Sequence, residues 1–173
     1  MKIVKVGKVS LVGEEQLIAK GIAKMRTDAN KRAGTHKNWN DEDPYEIDLK
    51  GFSAELAWAK YANLYPDFSI SPRRGTPDFY YSDGKSGDVK YTAMKQPKLL
   101  VKEHKINDPC DLYVLIIGDP IIIEGKKVYI DFEIIGFATK KQVFTSELTK
   151  QVYTNKRNYT VELEDMLKEI DLS

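Results

Sequence analysis

The spacing of hydrophobic positions predicts at least two helices in the first third of the chain. Residues 13–31 carry apolar side chains three and four positions apart on one side of a helix: Leu17, Ile18, Ile22 and Met25. Residues 51–62 show a second helical pattern, in which Phe52, Ala59 and Ala62 share a stripe. Residues 35–48 are polar, contain Pro44 and predict a loop between the two helices.

Strand patterns dominate the middle of the chain. Residues 111–117 are almost continuously apolar, which is typical of a central strand covered on both faces, and residues 128–138 predict a second strand. Residues 79–81 and 87–92 flank the turn signal Ser82-Asp83-Gly84-Lys85, so they predict a β-hairpin. Short helices are expected at residues 138–144 and 161–170, while the basic stretch 94–105 is left unassigned. The expected fold is α/β, with a mixed β-sheet core flanked by helices.

Length and composition favour one domain. The chain has 173 residues, of which 42% are hydrophobic, and it lacks a Ser/Gly/Pro-rich linker or repeat. We therefore expect a single domain over residues 1–173, with residues 1–48 as a helical and loop extension to its core. The start lacks a signal-peptide pattern, and no apolar run approaches the length of a membrane span. Because Cys110 is the only cysteine, a disulfide framework is excluded within one chain, which favours a cytoplasmic location.

The predicted hairpin places acidic and basic side chains together. Since strand side chains alternate, Asp88 and Lys90 share one face while Val89 and Tyr91 take the other. A turn centred on residues 83–84 puts Asp78 roughly opposite this pair, and cross-strand neighbours lie about 5 Å apart. Two carboxylates and an ammonium group therefore converge, which is the arrangement needed to hold Mg²⁺ against a phosphodiester.

A third acid comes from the second helix. Glu55 lies three residues after Phe52 and four before Ala59, close to the stripe that should face the sheet. Burying an unpaired carboxylate is costly, so such a residue normally has a partner, and a metal ion is one that fits. The alternative is that Glu55 sits at the edge of the stripe and reaches solvent.

Together these residues resemble the PD-(D/E)XK nuclease superfamily, in particular its small bacteriophage-type members. The resemblance covers residues 49–138 and rests on a helix with Gly51 and Glu55, then Gly75-Thr76-Pro77-Asp78, a short hairpin and Asp88-Val89-Lys90. Single Asp/Glu-x-Lys triplets recur elsewhere, for example at Glu103-His104-Lys105. Only the combination of helix, hairpin and both motifs distinguishes this pair of acids.

The resemblance implies a restriction-endonuclease-like core and a role for each matched residue. Asp78 and Asp88 would bind a divalent metal, Glu55 would support the metal or its waters, and Lys90 would position or activate the attacking water. Glu55, Asp78, Asp88 and Lys90 are thus the expected catalytic set, with Mg²⁺ as cofactor and Mn²⁺ as a possible substitute. Some relatives carry a polar residue near the active site, which makes Gln96 an accessory candidate.

The distribution of charge supports a nucleic-acid partner better than the net charge of +1 does. Residues 20–37 hold six Lys/Arg against one Asp, and residues 85–105 hold six Lys against two acids, whereas residues 161–173 hold five acids against one Lys. Clustered cations attract phosphates whatever the net charge. The expected nucleic-acid contacts are Lys95, Lys98, Lys102, Lys105, Arg73 and Arg74, with Arg26 among further candidates.

Two function classes remain open at this point. The first is a Mg²⁺-dependent deoxyribonuclease acting in the cytoplasm, or in the host cytoplasm if phage-encoded, with RNA as a less favoured substrate. The second is a catalytically inactive nucleic-acid-binding or structural protein that retains the nuclease fold. The sequence does not distinguish endonuclease from exonuclease, one metal from two, or the shape of the DNA. A homo-oligomer is compatible with the sequence but is not inferable from it.

Overall fold

The computed structural model describes residues 2–35, 42–70, 75–150 and 156–173. Its helices are α1 (Gly13–Arg32), α2 (Pro44–Ala62) and α3 (Lys140–Phe144). The first six strands are β1 (Ile3–Lys5), β2 (Gly7–Ser10), β3 (Phe79–Tyr80), β4 (Ser86–Thr92), β5 (Lys98–Lys102) and β6 (Leu112–Ile117). The other six are β7 (Ile121–Ile123), β8 (Lys126–Val128), β9 (Asp131–Thr139), β10 (Glu147–Lys150), β11 (Arg157–Glu162) and β12 (Glu169–Asp171).

A five-stranded mixed sheet forms the centre of the fold, in the order β2-β9-β6-β4-β3. The β4–β6 pair is parallel and the other pairs are antiparallel. Strand β6 is the middle strand and is almost wholly buried, because it is covered on both faces, as its apolar run predicts. The expected α/β class with a helix-flanked mixed sheet is confirmed.

Helices α1 and α2 cover one face of this sheet and share a core with it. The core includes Phe52 and Trp58 from α2, Phe79 from β3 and Phe137 from β9. Helix α2 begins seven residues earlier than its apolar pattern predicts, so the loop expected over residues 35–48 is wrong from residue 44 onward. Asp43 caps the helix by accepting a hydrogen bond from the Tyr45 backbone N–H at 3.0 Å, and a proline in the first turn costs no helical hydrogen bond.

A smaller antiparallel sheet, β10-β11-β5, covers the other face together with α3. Its core includes Leu99 and Val101 from β5, Tyr113 from β6 and Val143 from α3. The helix expected over residues 161–170 is wrong, because Val161 and Glu162 complete β11 and pair with β5. Tertiary pairing has overridden the local helical pattern there.

The strand expected over residues 128–138 is divided in two. Strand β8 ends at Val128, and β9 begins at Asp131, so the residues between them turn the chain from a projecting β7–β8 ribbon into the central sheet. The short helix expected at residues 138–144 is confirmed as α3. The N-terminal part of the chain is integrated with the fold, since β2 pairs with β9 and β1 pairs with β12.

Candidate active site on the β3–β4 hairpin

The hairpin formed by β3 and β4 has the register that the sequence predicts. Phe79 pairs with Gly87 and Tyr80 with Ser86, and the Asp78 backbone N–H donates to the Gly87 carbonyl at 2.8 Å. Continuing this register by one step places Asp78 directly opposite Asp88. A side chain at position 87 would overlap the Phe79 ring, so the close approach of the two strands requires glycine there.

The Asp78 carboxyl group is fixed by two hydrogen bonds. Its Oδ2 atom accepts from the Val89 backbone N–H at 2.8 Å, and the carboxyl group also hydrogen-bonds to that of Asp88. The two carboxyl groups are therefore close enough to share one cation. This is the convergence that the alternation of the hairpin predicts.

The Asp88 carboxylate is buried, with a side-chain exposure of 9%, and accepts from two ammonium groups. Its Oδ2 atom lies 2.6 Å from Lys90 Nζ and 2.9 Å from Lys105 Nζ. Lys90 lies two residues away on β4, so the shared face predicted for Asp88 and Lys90 is observed. Lys105 comes from the short 3-10 helix that follows β5 and also lies 3.9 Å from Asp108 Oδ2.

The environment separates the pKa values of the two aspartates. Burial, with the charges of Glu55 and Asp88, raises the pKa of Asp78 well above its ordinary value. Burial acts against ionisation of Asp88 too, but Lys90, the hydrogen bond from Asp78 and Lys105 together hold the pKa of Asp88 well below its ordinary range. The surroundings therefore favour the protonated form of Asp78 and the ionised form of Asp88.

Lys90 is charged in this setting. Burial disfavours its ammonium form, but the attraction of Asp88 and Asp78 outweighs burial and raises the pKa of Lys90. A general base must give up its proton first, so these surroundings favour Lys90 as a hydrogen-bond donor and positive charge.

Glu55 faces inward and is held by Arg26 of α1. The Arg26 Nη1 atom lies 3.2 Å from Glu55 Oε1 and 2.9 Å from Oε2, and the two side chains are 10% and 15% exposed. Arg26 also donates to the backbone carbonyls of Asp67 and Ser69 and lies 4.5 Å above the Phe52 ring. The buried partner expected for Glu55 is therefore present, and it is an arginine.

These side chains make a buried cluster with its own charge balance. The acids Glu55, Asp78 and Asp88 face the cations Arg26, Lys90 and Lys105. Within the described ranges, no group of three His, Cys, Asp or Glu side chains is placed to hold a metal ion. Asp78 and Asp88 nevertheless supply the hard oxygen atoms that suit Mg²⁺, which takes most of its remaining ligands from water and substrate.

The other predicted nucleic-acid contacts are spread around this cluster. Lys95 and Gln96 are exposed in the turn between β4 and β5. Lys98 and Lys102 lie on one face of β5, opposite buried Leu99 and Val101, and Lys98 Nζ is 3.9 Å from Glu162 Oε1. Arg73 and Arg74 fall outside the described residues. Among the members of this set that the structure describes, Lys105 is the one that contacts Asp88.

Two roles in the site were missed by sequence reasoning. Arg26 was grouped with the basic surface, although it lies on the α1 face that also carries the small residues Ala19 and Ala23. Small residues on one face of a helix allow close packing against another element. If that face of α1 is taken as the buried one, Arg26 is predicted to be buried as well. For the contact of Lys105 with Asp88 the sequence offers no comparable signal, because it depends on the path of the chain after β5.

The chain has no counterpart in the comparisons with known proteins. No family model, curated protein or solved structure matches it. No helix among the described residues is both long and apolar enough to cross a bilayer.

Proposed function

We propose that the protein is a divalent-metal-dependent nuclease that hydrolyses DNA phosphodiester bonds. The observation that carries the proposal is the pairing of Asp78 with Asp88 across β3 and β4, with Lys90 Nζ 2.6 Å from Asp88. Two carboxyl groups and a lysine on one hairpin supply both the oxygen ligands for a cation and a donor for a phosphate or water. This combination of groups fits phosphodiester chemistry.

Asp78 and Asp88 are the residues that would hold the metal. A bound Mg²⁺ supplies Lewis-acid stabilisation of the charge that develops on the phosphoryl oxygens, and it lowers the pKa of a coordinated water. The protein's own part is to fix the two carboxyl groups. The Val89 N–H orients Asp78, while Lys90 and Lys105 orient Asp88.

Lys90 and Lys105 supply positive charge for the substrate. Both side chains are 25% exposed, so their ammonium groups lie at the edge of the buried cluster. Charged donors in a partly desolvated site stabilise an anionic transition state more strongly than the same groups in water. We assign Lys90 to positioning the attacking water or the scissile phosphate, in keeping with its raised pKa.

Glu55 supports the site indirectly. Arg26 contacts both of its carboxylate oxygens, so Glu55 acts on Asp78 through its charge and would support a metal through water. The exposed lysines near the hairpin then extend the positive surface along the path of a nucleic acid, chiefly Lys95, Lys98 and Lys102.

A second candidate function, a catalytically inactive nucleic-acid-binding protein, is favoured by one observation. The cations of the cluster already satisfy its anions, as in a structural ion-pair network. Both functions use the same basic surface, so only cleavage separates them.

The test is cleavage of linear, circular and branched DNA with Mg²⁺ or Mn²⁺, and with EDTA. RNA of the same sequence and the variants Asp88→Asn and Lys90→Gln complete the set. Lys127→Gln is the matched control, because Lys127 is exposed on β8 and is not among the expected nucleic-acid contacts. Metal-dependent cutting that both site variants lose and Lys127→Gln retains supports the nuclease. Wild-type protein that binds DNA but cuts none of these substrates would establish the inactive binding protein instead.

A further inference from the structure

One oxygen of Asp88 accepts hydrogen bonds from two ammonium groups at once. Lys90 Nζ lies 2.6 Å from Asp88 Oδ2, and Lys105 Nζ lies 2.9 Å from the same atom. An ionised carboxylate offers about two acceptor directions on each oxygen, so these two donors occupy the directions that Oδ2 offers. A divalent cation shared by Asp78 and Asp88 would also lie close to both ammonium groups and be repelled by them. Binding of a cation therefore requires one of the two lysines to move.

Lys105 is better placed to move than Lys90. Lys90 lies two residues from Asp88 on β4, a strand that is held between β3 and β6 in the central sheet. Lys105 lies on the 3-10 helix Glu103–Asn107, which contains no buried residue, and it reaches Asp88 from 17 positions away in the chain. A change in the position of the Lys105 side chain therefore leaves the central sheet undisturbed.

Asp108 provides a second carboxylate for Lys105. Its Oδ2 atom lies 3.9 Å from Lys105 Nζ, so a shift of about 1 Å brings the ammonium group to hydrogen-bond distance. The Asp108 carboxylate lies against Gly75, where an added Cβ would be 3.0 Å from Asp108 Oδ1. Because Gly75 precedes Asp78 by three residues, Asp108 borders the segment that leads into the site. Lys105 can thus exchange one carboxylate for the other without leaving the site.

We propose that Lys105 is the counter-cation of Asp88 in the metal-free protein, and that Asp108 receives its ammonium group when a divalent cation binds. In the metal-free protein Lys105 helps to neutralise Asp88, whose charge would be costly to bury without partners. With a cation bound, Lys105 pairs with Asp108, so each ionised acid keeps a positive partner in both states. Metal affinity is then set by a competition within the chain, and Asp108 is a positioning residue of the site. This inference rests on the proposed function, because it concerns the metal site of the nuclease.

The first measurement is Mn²⁺ binding to the full chain without DNA, by isothermal titration calorimetry and by the electron paramagnetic resonance signal of free Mn²⁺. Lys105→Gln removes the competing ammonium group, so we expect Mn²⁺ to bind about tenfold more tightly. Lys98→Gln is the matched control, because Lys98 Nζ lies 3.9 Å from Glu162 and its charge is paired there rather than with Asp88. It should change the affinity by less than about twofold, since solvent and salt screen its charge.

The outcomes of this titration separate the exchange from the proposed function. If Lys105→Gln binds Mn²⁺ with the wild-type affinity or more weakly, the exchange is overturned while the metal site stands. If neither protein binds Mn²⁺, both the exchange and the metal-dependent nuclease are overturned.

A double-mutant cycle distinguishes exchange from a simple change in the electric field. Asp108→Asn should weaken Mn²⁺ binding roughly fivefold, because Lys105 then leaves Asp88 for a neutral amide. In the Lys105→Gln background the same change should alter the affinity by less than about twofold. Glu162→Gln removes the acid of the Lys98 pair and is the control. Equal weakening by Asp108→Asn in both backgrounds would show that Asp108 acts on the metal directly, which overturns its role as the acceptor of Lys105.

The position of Lys105 in the metal-bound wild type is a direct check that does not depend on the folding of any variant. A crystal structure with Mn²⁺ should place Lys105 Nζ within about 3.2 Å of an Asp108 carboxylate oxygen. The same atom should lie more than about 4 Å from Asp88 Oδ2. A structure in which Lys105 stays on Asp88 while Lys90 moves away overturns the proposal. Tighter Mn²⁺ binding by Lys90→Gln than by Lys105→Gln would lead to the same conclusion in solution.

Discussion

The Arg26 guanidinium contacts both carboxylate oxygens of Glu55, at 2.9 and 3.2 Å, and so ties α1 to the helix that borders the hairpin site. Arg26→Met keeps the apolar length of the side chain but leaves Glu55 as a buried charge without its arginine. Breaking a buried ion pair costs about 3–5 kcal/mol, so we expect a loss at the low end of that range, since Glu55 is 15% exposed. Chemical denaturation measures this loss as a decrease in the free energy of unfolding.

A double-mutant cycle with Glu55→Gln isolates the pair. The two changes together should cost less than the sum of the single changes, with a coupling energy of about 1–3 kcal/mol. Lys24→Met is the control, because Lys24 lies on the same helix and its pair with Asp28 is exposed. Additive losses from Arg26 and Glu55 would show that the contact contributes no coupling.

The two aspartates should differ in how much the stability of the protein changes when each is replaced by asparagine. Asp78→Asn preserves both hydrogen bonds, because an amide can accept from the Val89 N–H and donate to Asp88. Burial and the neighbouring acids raise the pKa of Asp78, which favours its neutral form in the folded protein, so we expect a change in stability within about 1 kcal/mol. Cleavage should nevertheless be lost.

Asp88→Asn removes the shared partner of Lys90 and Lys105. Two ammonium groups at the edge of the cluster then repel each other, and we expect a loss of roughly 2–4 kcal/mol. Thermal or urea unfolding of the two variants at pH 7 gives the comparison. Equal destabilisation by both changes would mean that Asp78 is ionised in the metal-free protein.

Much of the fold follows from local pattern. Helix α1, the apolar strand β6 and the hairpin were predictable because each has its own periodicity or turn signal. The start of α2 and the strand β11 were not. The first depends on a cap at Asp43, and the second on pairing with β5, which lies more than fifty residues earlier in the chain.

The candidate site likewise combines contacts that the sequence predicts with contacts that it does not. The juxtaposition of Asp78, Asp88 and Lys90 follows from alternation in one hairpin, which is local geometry. The contacts of Arg26 and Lys105 join elements that are distant in sequence, so no spacing rule reveals them. Charge alone assigned both residues to the surface, although one is buried and the other contacts Asp88.

Lys105 should affect the chemical step more than the exposed lysines do. Its Nζ atom lies 2.9 Å from Asp88, so a substrate phosphate at the site would lie within its reach. We expect Lys105→Gln to lower kcat at least tenfold, which corresponds to about 1.4 kcal/mol of transition-state stabilisation. Lys98→Gln should mainly raise KM, with a shallower salt dependence by about one unit of slope.

Steady-state kinetics at several salt concentrations separates these two effects. If both variants change only KM, then Lys105 contributes to binding alone and has no part in the reaction.

Gly87 should control the separation of the hairpin strands. A methyl group at position 87 overlaps the Phe79 ring, which packs against Trp58 in the core. Gly87→Ala must displace that ring or the strand, and overpacking of this kind costs about 1–3 kcal/mol. It should also move Asp78 away from Asp88 and lower any cleavage rate. Gly51→Ala is the control, because a Cβ there meets nothing within 4 Å and should stabilise α2 by up to about 1 kcal/mol.

Cys110 should be unreactive in the folded protein. Its side chain is 5% exposed and its Sγ–H donates to the Leu112 carbonyl at 3.2 Å. Burial and the charge of Asp88 raise the pKa of Cys110 from 9.0 to about 12. The thiolate is the reactive form, so iodoacetamide should label the folded protein slowly at pH 8, with no rise in rate until well above pH 9.

The raised pKa of Cys110 also makes the stability of the fold decrease as the pH rises above 9. The folded state keeps the thiol proton more tightly than the unfolded chain does, so Cys110 favours folding fully below pH 9 and loses that contribution between pH 9 and about 12. Cys110→Ala should therefore flatten the alkaline fall in stability measured by urea unfolding at pH 8, 9 and 10. The buried tyrosines Tyr91 and Tyr113 act in the same direction and remain in both proteins. Because Cys110 helps to raise the pKa of Tyr113, the difference between the two curves reports the thiol together with its effect on Tyr113. Rapid labelling of native protein at pH 8, with unfolding excluded by circular dichroism, would contradict the burial of Cys110 and show that the structure opens locally around it.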